Sequence, residues 1–237
     1  MKPDYGIDSP ALIRNYALAG ILFTLCYLLF PYLIPGENHF PMWLFLLIGI
    51  VLTTIALFRL LYSTKGKFLH RNELLDMLTW KGDEQVLDIG TGNGNLLIGA
   101  ATRLTTGKAK GVDLFDPAHH TNNTQGVVLQ NAQLEGVADK IELFKEDARQ
   151  LSFENESFDI VLSNLCLHQI PDATGRATAC REIYRVLKKG GNALITDIRY
   201  IEEYNSNFRS LGCLTFNMEP SYLHLFPPLH ILKVSKV

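Results

Sequence analysis

The stretch that decides the fold is QVLDIGTGNGN, Gln85–Asn95. Its first half is a short apolar run of the kind that forms a buried strand. Its second half places glycines at alternate positions, Gly90, Gly92 and Gly94, where the backbone can turn tightly and a ligand can lie against it without Cβ interference. A helical pattern starts at Asn95, and a helix N-terminus carries N–H groups with no partner in the helix. Nineteen residues past Gly94, Asp113 closes a second apolar run, AKGVD (Ala109–Asp113). A carboxylate at that strand tip can accept hydrogen bonds from ribose hydroxyls. A glycine loop alone says little, but one set between strand and helix, with an acid at the next strand's tip, points to a nucleoside-containing cofactor.

Working outward, the same texture repeats. After the strand at 85–89 come a helix over 95–104, a strand over 109–113, a helix over 121–135 and strands over 141–144 and 158–163. A helix over 175–187 follows, with Ala179, Ile183 and Leu187 on one face. Then come a strand over 192–197, a helix over 200–211 and strands over 213–216 and 230–234. Strands alternating with helices of this size predict an α/β domain: a Rossmann-like, seven-stranded, mostly parallel sheet with helices on both faces.

The spacing also discriminates between cofactors. A dinucleotide fingerprint beginning at Gly90 requires a third glycine where this chain has Asn95, which argues against a nicotinamide-dependent oxidoreductase. The observed D-x-G-x-G-x-G (Asp88–Gly94) resembles motif I of the class I S-adenosylmethionine-dependent methyltransferases, of the type 11/25-like group. The resemblance continues through GVDLF (Gly111–Phe115), EDARQLSFENESFDIVLSN (Glu146–Asn164) and REIYRVLKKGGNALITD (Arg181–Asp197). It implies S-adenosylmethionine as cofactor. It further implies that Gly90, Gly92 and Gly94 shape the floor under the methionine moiety, with Asp88 at its amino end. Asp113 would take the ribose hydroxyls and Leu114 would pack on the adenine. Asp147 would accept from the adenine amino group with Ala148 beside it, and Asn164 would lie near the reacting methyl. Asp88 and Asp147 could instead be cap or turn acids. A scaffold that binds the cofactor without turnover is the other competing reading, and the intact glycine loop, Asp113 and Asp147 argue against it.

A methyl on a sulfonium is already activated, so orientation does most of the work, and a base is needed only if the acceptor arrives protonated. His168, just past the fourth strand, is the candidate base, because an imidazole titrates near neutrality; the alternative is that it only shapes the pocket. Cys166 reads as a packing residue. Asp197, at the tip of the fifth strand, reads equally well as a site carboxylate or as a solvated turn acid. His119 and His120 have no Cys or His partner at ligand spacing, so no metal site is expected.

The chain is 237 residues long, with 22 Lys+Arg, 24 Asp+Glu and a formal net charge of −2, so nothing global points to nucleic acid. Its 47% hydrophobic content excludes disorder, and four scattered cysteines without a CxxC pair exclude a disulfide framework. Charge is nevertheless uneven. Only Lys2, Arg14, Arg59, Asp4, Asp8 and Glu37 precede Ser63. Twenty-two uncharged residues separate Arg14 from Glu37, and twenty-one separate Glu37 from Arg59. At about 1.5 Å per helical residue, each run can cross a hydrocarbon layer of ~30 Å. The expected organisation is therefore a membrane anchor over 1–62, with transmembrane helices at about 15–34 and 42–61, and a methyltransferase domain over 63–237. A signal peptide does not fit a long apolar run followed at once by a second one. A buried soluble hairpin would show a polar face. Lys2, Arg14, Arg59, Lys65, Lys67 and Arg71 flank the hairpin while the linker lacks Lys and Arg, so the positive-inside rule puts the N-terminus and the large domain in the cytoplasm. The basic cluster then reads as a flank touching anionic lipid rather than an RNA site. Anchoring favours a small, hydrophobic or lipid-like methyl acceptor.

Overall fold

A computed structural model describes residues 3–33, 41–116, 123–218 and 229–237. Most of the 35–41 linker, along with His119 and His120, lies outside the described residues. The chain divides into two compact units, Ile7–Lys67 and a second one that joins Phe68–Val237 to the residues up to Gly6.

In the larger unit, β1 (Gln85–Ile89), β2 (Lys108–Asp113), β3 (Ile141–Lys145), β4 (Phe158–Asn164), β5 (Leu187–Asp197), β6 (Leu214–Met218) and β7 (His230–Ser235) form one seven-stranded sheet. The order is β3-β2-β1-β4-β5-β7-β6; β1 to β5 pair in parallel, and β7 is antiparallel to both its neighbours. The predicted Rossmann-like fold is thus the observed one. Strand order reverses between β1 and β4, and in open sheets of this kind that switch point opens a crevice at the carboxyl edge.

Both faces of the sheet are covered, which is why its strands read as near-continuous apolar runs. On one face Val86, Leu162 and Leu194 pack with Leu74 of α3 (Lys67–Asp76), Leu97 and Ile98 of α4 (Asn95–Ala101) and Val128 of α5 (Gln125–Leu134). On the other, Leu87, Ile89, Val161 and Ile195 pack with Ile183 of α6 (Ala173–Val186) and with Tyr204 and Phe208 of α7 (Ile201–Ser210). Because side chains alternate along a strand, the positions that extend the first face toward the carboxyl edge are Asp88, Asn164 and Thr196. Those that extend the second are Ser163 and Asp197.

In the smaller unit, α1 (Pro10–Leu33) and α2 (Trp43–Leu61) pair along their lengths, and a π-helical turn (Tyr62–Gly66) follows α2. Both are long and apolar enough to cross a membrane, and only 6% and 11% of their most apolar windows are buried. Leu18, Leu22, Leu28, Ile50, Leu57 and Phe58 are exposed. The helices approach closely at Gly49: a Cβ there would lie 3.0 Å from the Gly20 carbonyl oxygen and 3.1 Å from the Thr24 nitrogen. Small residues at such a crossing let two backbones pack without side chains between them.

Gly49→Leu is therefore expected to force the two helices apart and to destabilise the hairpin by roughly 1–3 kcal/mol. Leu22→Ala, on an exposed flank, should change stability by less than about 0.5 kcal/mol. Thermal unfolding of the full chain in detergent, followed by tryptophan fluorescence, checks both.

Candidate active site

The site grows out of the turn after β1. Gly92 has φ 53°, and a Cβ added there would meet nothing within 4 Å, so this turn faces open space. Gly90 is constrained in the opposite sense, since a Cβ on it would lie 2.5 Å from Cys166 Sγ. The Gly92 N–H donates to Asp113 Oδ2 at 2.8 Å, while Asp113 Oδ1 accepts from the Phe115 N–H (2.8 Å) and Asn123 Nδ2 (3.0 Å). A carboxylate offers about four lone-pair sites. Oδ2 therefore keeps one for a ribose hydroxyl, and taking a second hydroxyl on Oδ1 requires Asn123 to let go. Leu114 is exposed beside it.

Asp88 sits behind the turn, 1% exposed, with its Oδ2 without a hydrogen-bond partner. Burial first, and then the charge of Asp113, push its carboxyl up to about 7. Cys166 completes the floor. Burial, followed by the carboxylates of Asp113, Asp197, Asp88 and Asp147, pushes its thiol well above the usual range. A protonated thiol wedged against Gly90 is a packing group and not a nucleophile, as the sequence suggested. The acids whose charge reaches this thiol also make this edge a place where a cationic ligand is favoured.

Asp147, with its neighbour Ala148 packed against the second core cluster, follows β3. Its oxygens are engaged by Arg149, through Nε at 2.9 and 3.1 Å and Nη2 at 2.6 Å, and these bonds hold its carboxyl below the ordinary range. At the tip of β4, Asn164 has an Oδ1 that is buried without a hydrogen-bond partner. Leu165 follows with φ 56°. Phe115 after β2 (φ 49°) and Tyr200 after β5 (φ 63°) are also left-handed without being glycine, so three strands end in strained backbone at the same edge.

His168 lies in a 3-10 turn (Leu167–Gln169), its Nδ1 2.5 Å from Asp197 Oδ1. Asp197 is no solvated turn acid. It is fully buried and accepts from the backbone N–H groups of His168 (3.0 Å) and Ile198 (2.8 Å) and from the Tyr204 hydroxyl (3.3 Å). A carboxylate held against one imidazole nitrogen fixes the orientation of the ring. His168 and Asp197 thus meet on the α6–α7 side of the sheet, while Asn164 belongs to the α3–α4 side.

A second feature escaped the sequence reading. The leading residues lie along the glycine turn: Asn131 on α5 accepts from the Asp4 N–H (2.8 Å) and donates to the Asp4 (2.8 Å) and Asn93 (3.1 Å) carbonyls. Tyr5, 6% exposed, stacks edge-on against Phe68 at 5.5 Å.

With this geometry established, comparison with known proteins is informative. Residues 87–195, from β1 to β5, match the family model described as "Methyltransferase domain". This segment is similar to methyltransferase domains. Its cofactor is S-adenosylmethionine, which the open Gly92 turn, the anchored Asp113 and the unpartnered Asp88 oxygen fit. The chain is 28% identical over 115 residues to a demethylmenaquinone methyltransferase of Bacteroides fragilis, covering 48% of this chain and 43% of that protein. It is 32% identical over 118 residues to a sarcosine/dimethylglycine N-methyltransferase of Aphanothece halophytica, covering 50% and 39%. The matches span less than half the length of these relatives. Among solved structures, a SAM-dependent methyltransferase from Aquifex aeolicus superposes with a TM-score of 0.58 at 15% identity, over 73% of this chain and 93% of that one, a likeness of fold.

The methyltransferase domain makes a pH-dependent expectation. With its carboxyl near 7, Asp88 holds a proton in the folded chain between about pH 4 and 7 that the unfolded chain has shed; its contribution to stability therefore falls as pH rises through that window and is flat above it. An ammonium placed beside Asp88 favours the carboxylate, so binding should release a proton. At pH 6, calorimetry with S-adenosylhomocysteine in buffers of different ionisation enthalpy should show release of most of one proton, and Asp88→Asn should abolish it.

Proposed function

We propose that this chain is a membrane-anchored S-adenosylmethionine-dependent methyltransferase acting on a small, hydrophobic or lipid-like acceptor. The observation that carries the reading is the Gly92 turn, open to solvent and tied to Asp113, with the buried Asp88 carboxyl and its unpartnered Oδ2 behind it. S-adenosylmethionine, when bound, supplies a methyl group activated by its sulfonium. The chain's own residues do the rest. Asp113 takes the ribose, Leu114 covers the adenine face, and Asp88 meets the amino end over a floor of Gly90, Gly92 and Gly94. Asp147, beside Ala148, accepts from the adenine amino group once its contact with Arg149 opens. Asn164 borders the transfer site. His168, held by Asp197, takes the proton of an acceptor that arrives protonated, and for that role its other nitrogen, Nε2, must face the acceptor.

The acceptor class rests on the anchor. Two apolar helices with exposed flanks support insertion in a bilayer, and the flanking positive charge supports a cytoplasmic N-terminus and catalytic domain. A tethered catalytic domain works at high effective concentration on molecules dissolved in that bilayer. The name of the Bacteroides relative, a demethylmenaquinone methyltransferase, agrees with a quinone-like acceptor, whereas that of the Aphanothece relative points to an amine; the anchor favours the former.

Incubating native membranes with isotope-labelled S-adenosylmethionine, then mass analysis of extracted lipids and small metabolites, should find label in the lipid-soluble fraction. Label confined to soluble protein or nucleic acid would contradict the acceptor class. Asp113→Ala loses charge-assisted hydrogen bonds of ~1.5–3 kcal/mol each, so donor affinity should fall roughly 10- to 100-fold.

For the base, His168→Gln should lower kcat by about 10²–10⁴ with little change in the KM for the donor. Asp197→Asn, which removes the charge that orients His168, should lower kcat as well, by a smaller factor. Steady-state kinetics on the labelled lipid product separates the two effects.

A further inference from the structure

His70 matches no motif in the chain, yet it is among its most enclosed polar side chains, 1% exposed. It lies on α3, with Leu74 one turn farther on and Leu78 just past the helix end, both within the core cluster of the first sheet face. That spacing points His70 inward at the carboxyl-edge end of the same face. Neither ring nitrogen completes a hydrogen bond of normal geometry, although the Asn164 carboxamide is near enough to bias the ring. Asn164 Oδ1 and Thr196 Oγ1 are also buried without a hydrogen-bond partner, and the two residues are register partners between β4 and β5. The imidazole, the carboxamide oxygen and the hydroxyl are thus withdrawn from water on one face of the sheet without a completed hydrogen bond. Native proteins pair nearly all such groups, and an exception calls for a ligand, an ion or a water.

Strand order says which ligand. Along the edge run Asp113 on β2, Asp88 and the glycine turn on β1, Asn164 on β4 and Thr196 on β5. On the methyltransferase reading, from which this inference follows, the donor occupies the β2–β1 stretch and its reactive end faces β4. The positions beyond belong to the acceptor. The geometry points to His70, together with Asn164 and Thr196, as the polar end of the acceptor pocket, hydrogen-bonding an uncharged hydroxyl-type group, phenolic or enolic, of an otherwise apolar molecule. All three side chains are neutral hydrogen-bonding groups, which suits such a group better than a phosphate or carboxylate. Burial keeps His70 neutral, pushing it down to about 4, so the ring offers one N–H and one lone pair. His168 and Asp197 sit on the other face of the sheet, so proton removal and acceptor recognition fall to different histidines.

The test uses the full chain in detergent, as wild type, His70→Leu and His70→Gln. Three quantities are read: S-adenosylhomocysteine affinity by calorimetry, melting temperature, and methyl transfer from labelled S-adenosylmethionine to a lipid extract of native membranes. The expected results are S-adenosylhomocysteine affinity within about threefold of wild type in both variants, transfer down at least about thirtyfold in His70→Leu, and partial recovery in His70→Gln. His70→Leu should also melt a few degrees higher, because an apolar group replaces a buried polar one that lacks partners. A tenfold or greater loss of product affinity would move His70 to the donor side and overturn the proposal. Unchanged transfer, a lower melting temperature, or a wild type that binds the product yet methylates nothing in the extract would overturn it as well. A wild type that does not bind S-adenosylhomocysteine would instead bring down the donor assignment on which the proposal rests.

Discussion

The hydrogen bond from the Gly92 N–H to the Asp113 carboxylate is the constraint on which the site depends. It ties the turn leaving β1 to the tip of β2, 21 residues farther along the chain. Held in this way, Asp113 cannot rotate to point its charge into water, and its field reaches Asp88, which burial has already left short of solvation. A bond to a charged acceptor contributes ~1.5–3 kcal/mol. The larger consequence is preorganisation: the negative charge a cationic donor requires is set before any ligand arrives.

The sheet then divides the remaining work. On one face, the apolar row Val86–Leu162–Leu194 gives way to Asp88, Asn164 and Thr196 under α3. On the other, Ile195 gives way to Asp197, which takes hold of His168. The strained residues Phe115, Leu165 and Tyr200 mark where the strands hand over to loops at this edge. Arg176, 5% exposed, braces the loop after β4: it binds Glu203 at 2.8 Å and the carbonyls of Ile170 and Pro171 at 2.9 and 3.1 Å. A loop so fastened can hold a histidine in one orientation.

Local signals carried much of this. The strand–glycine–helix pattern at Gln85–Asn95, the acid at Asp113 and the alternation of apolar runs were readable because each depends on residues close in sequence. Boundaries shifted by a few residues: the helix expected over 121–135 is α5 over 125–134, and β5 begins at Leu187 rather than 192. That shift has a reason, since Phe158 pairs with Leu187 before the register moves on, extending the ladder through residues whose local sequence, Lys188–Gly191, reads as a turn.

The sequence by itself determined the sheet, the glycine turn, the acids at the strand tips and the two apolar runs, because periodicity and turn chemistry are properties of neighbouring residues. Only the tertiary structure decided that Asp197 is buried against His168, that Asp147 is held by Arg149, that Asn131 pins the leading residues to the glycine turn, and that His70 reaches Asn164. Those outcomes turn on desolvation and on contacts between residues brought together by strand order. Whether a carboxylate or an imidazole is solvated or sealed is settled by what packs over it, and composition and spacing carry no record of that.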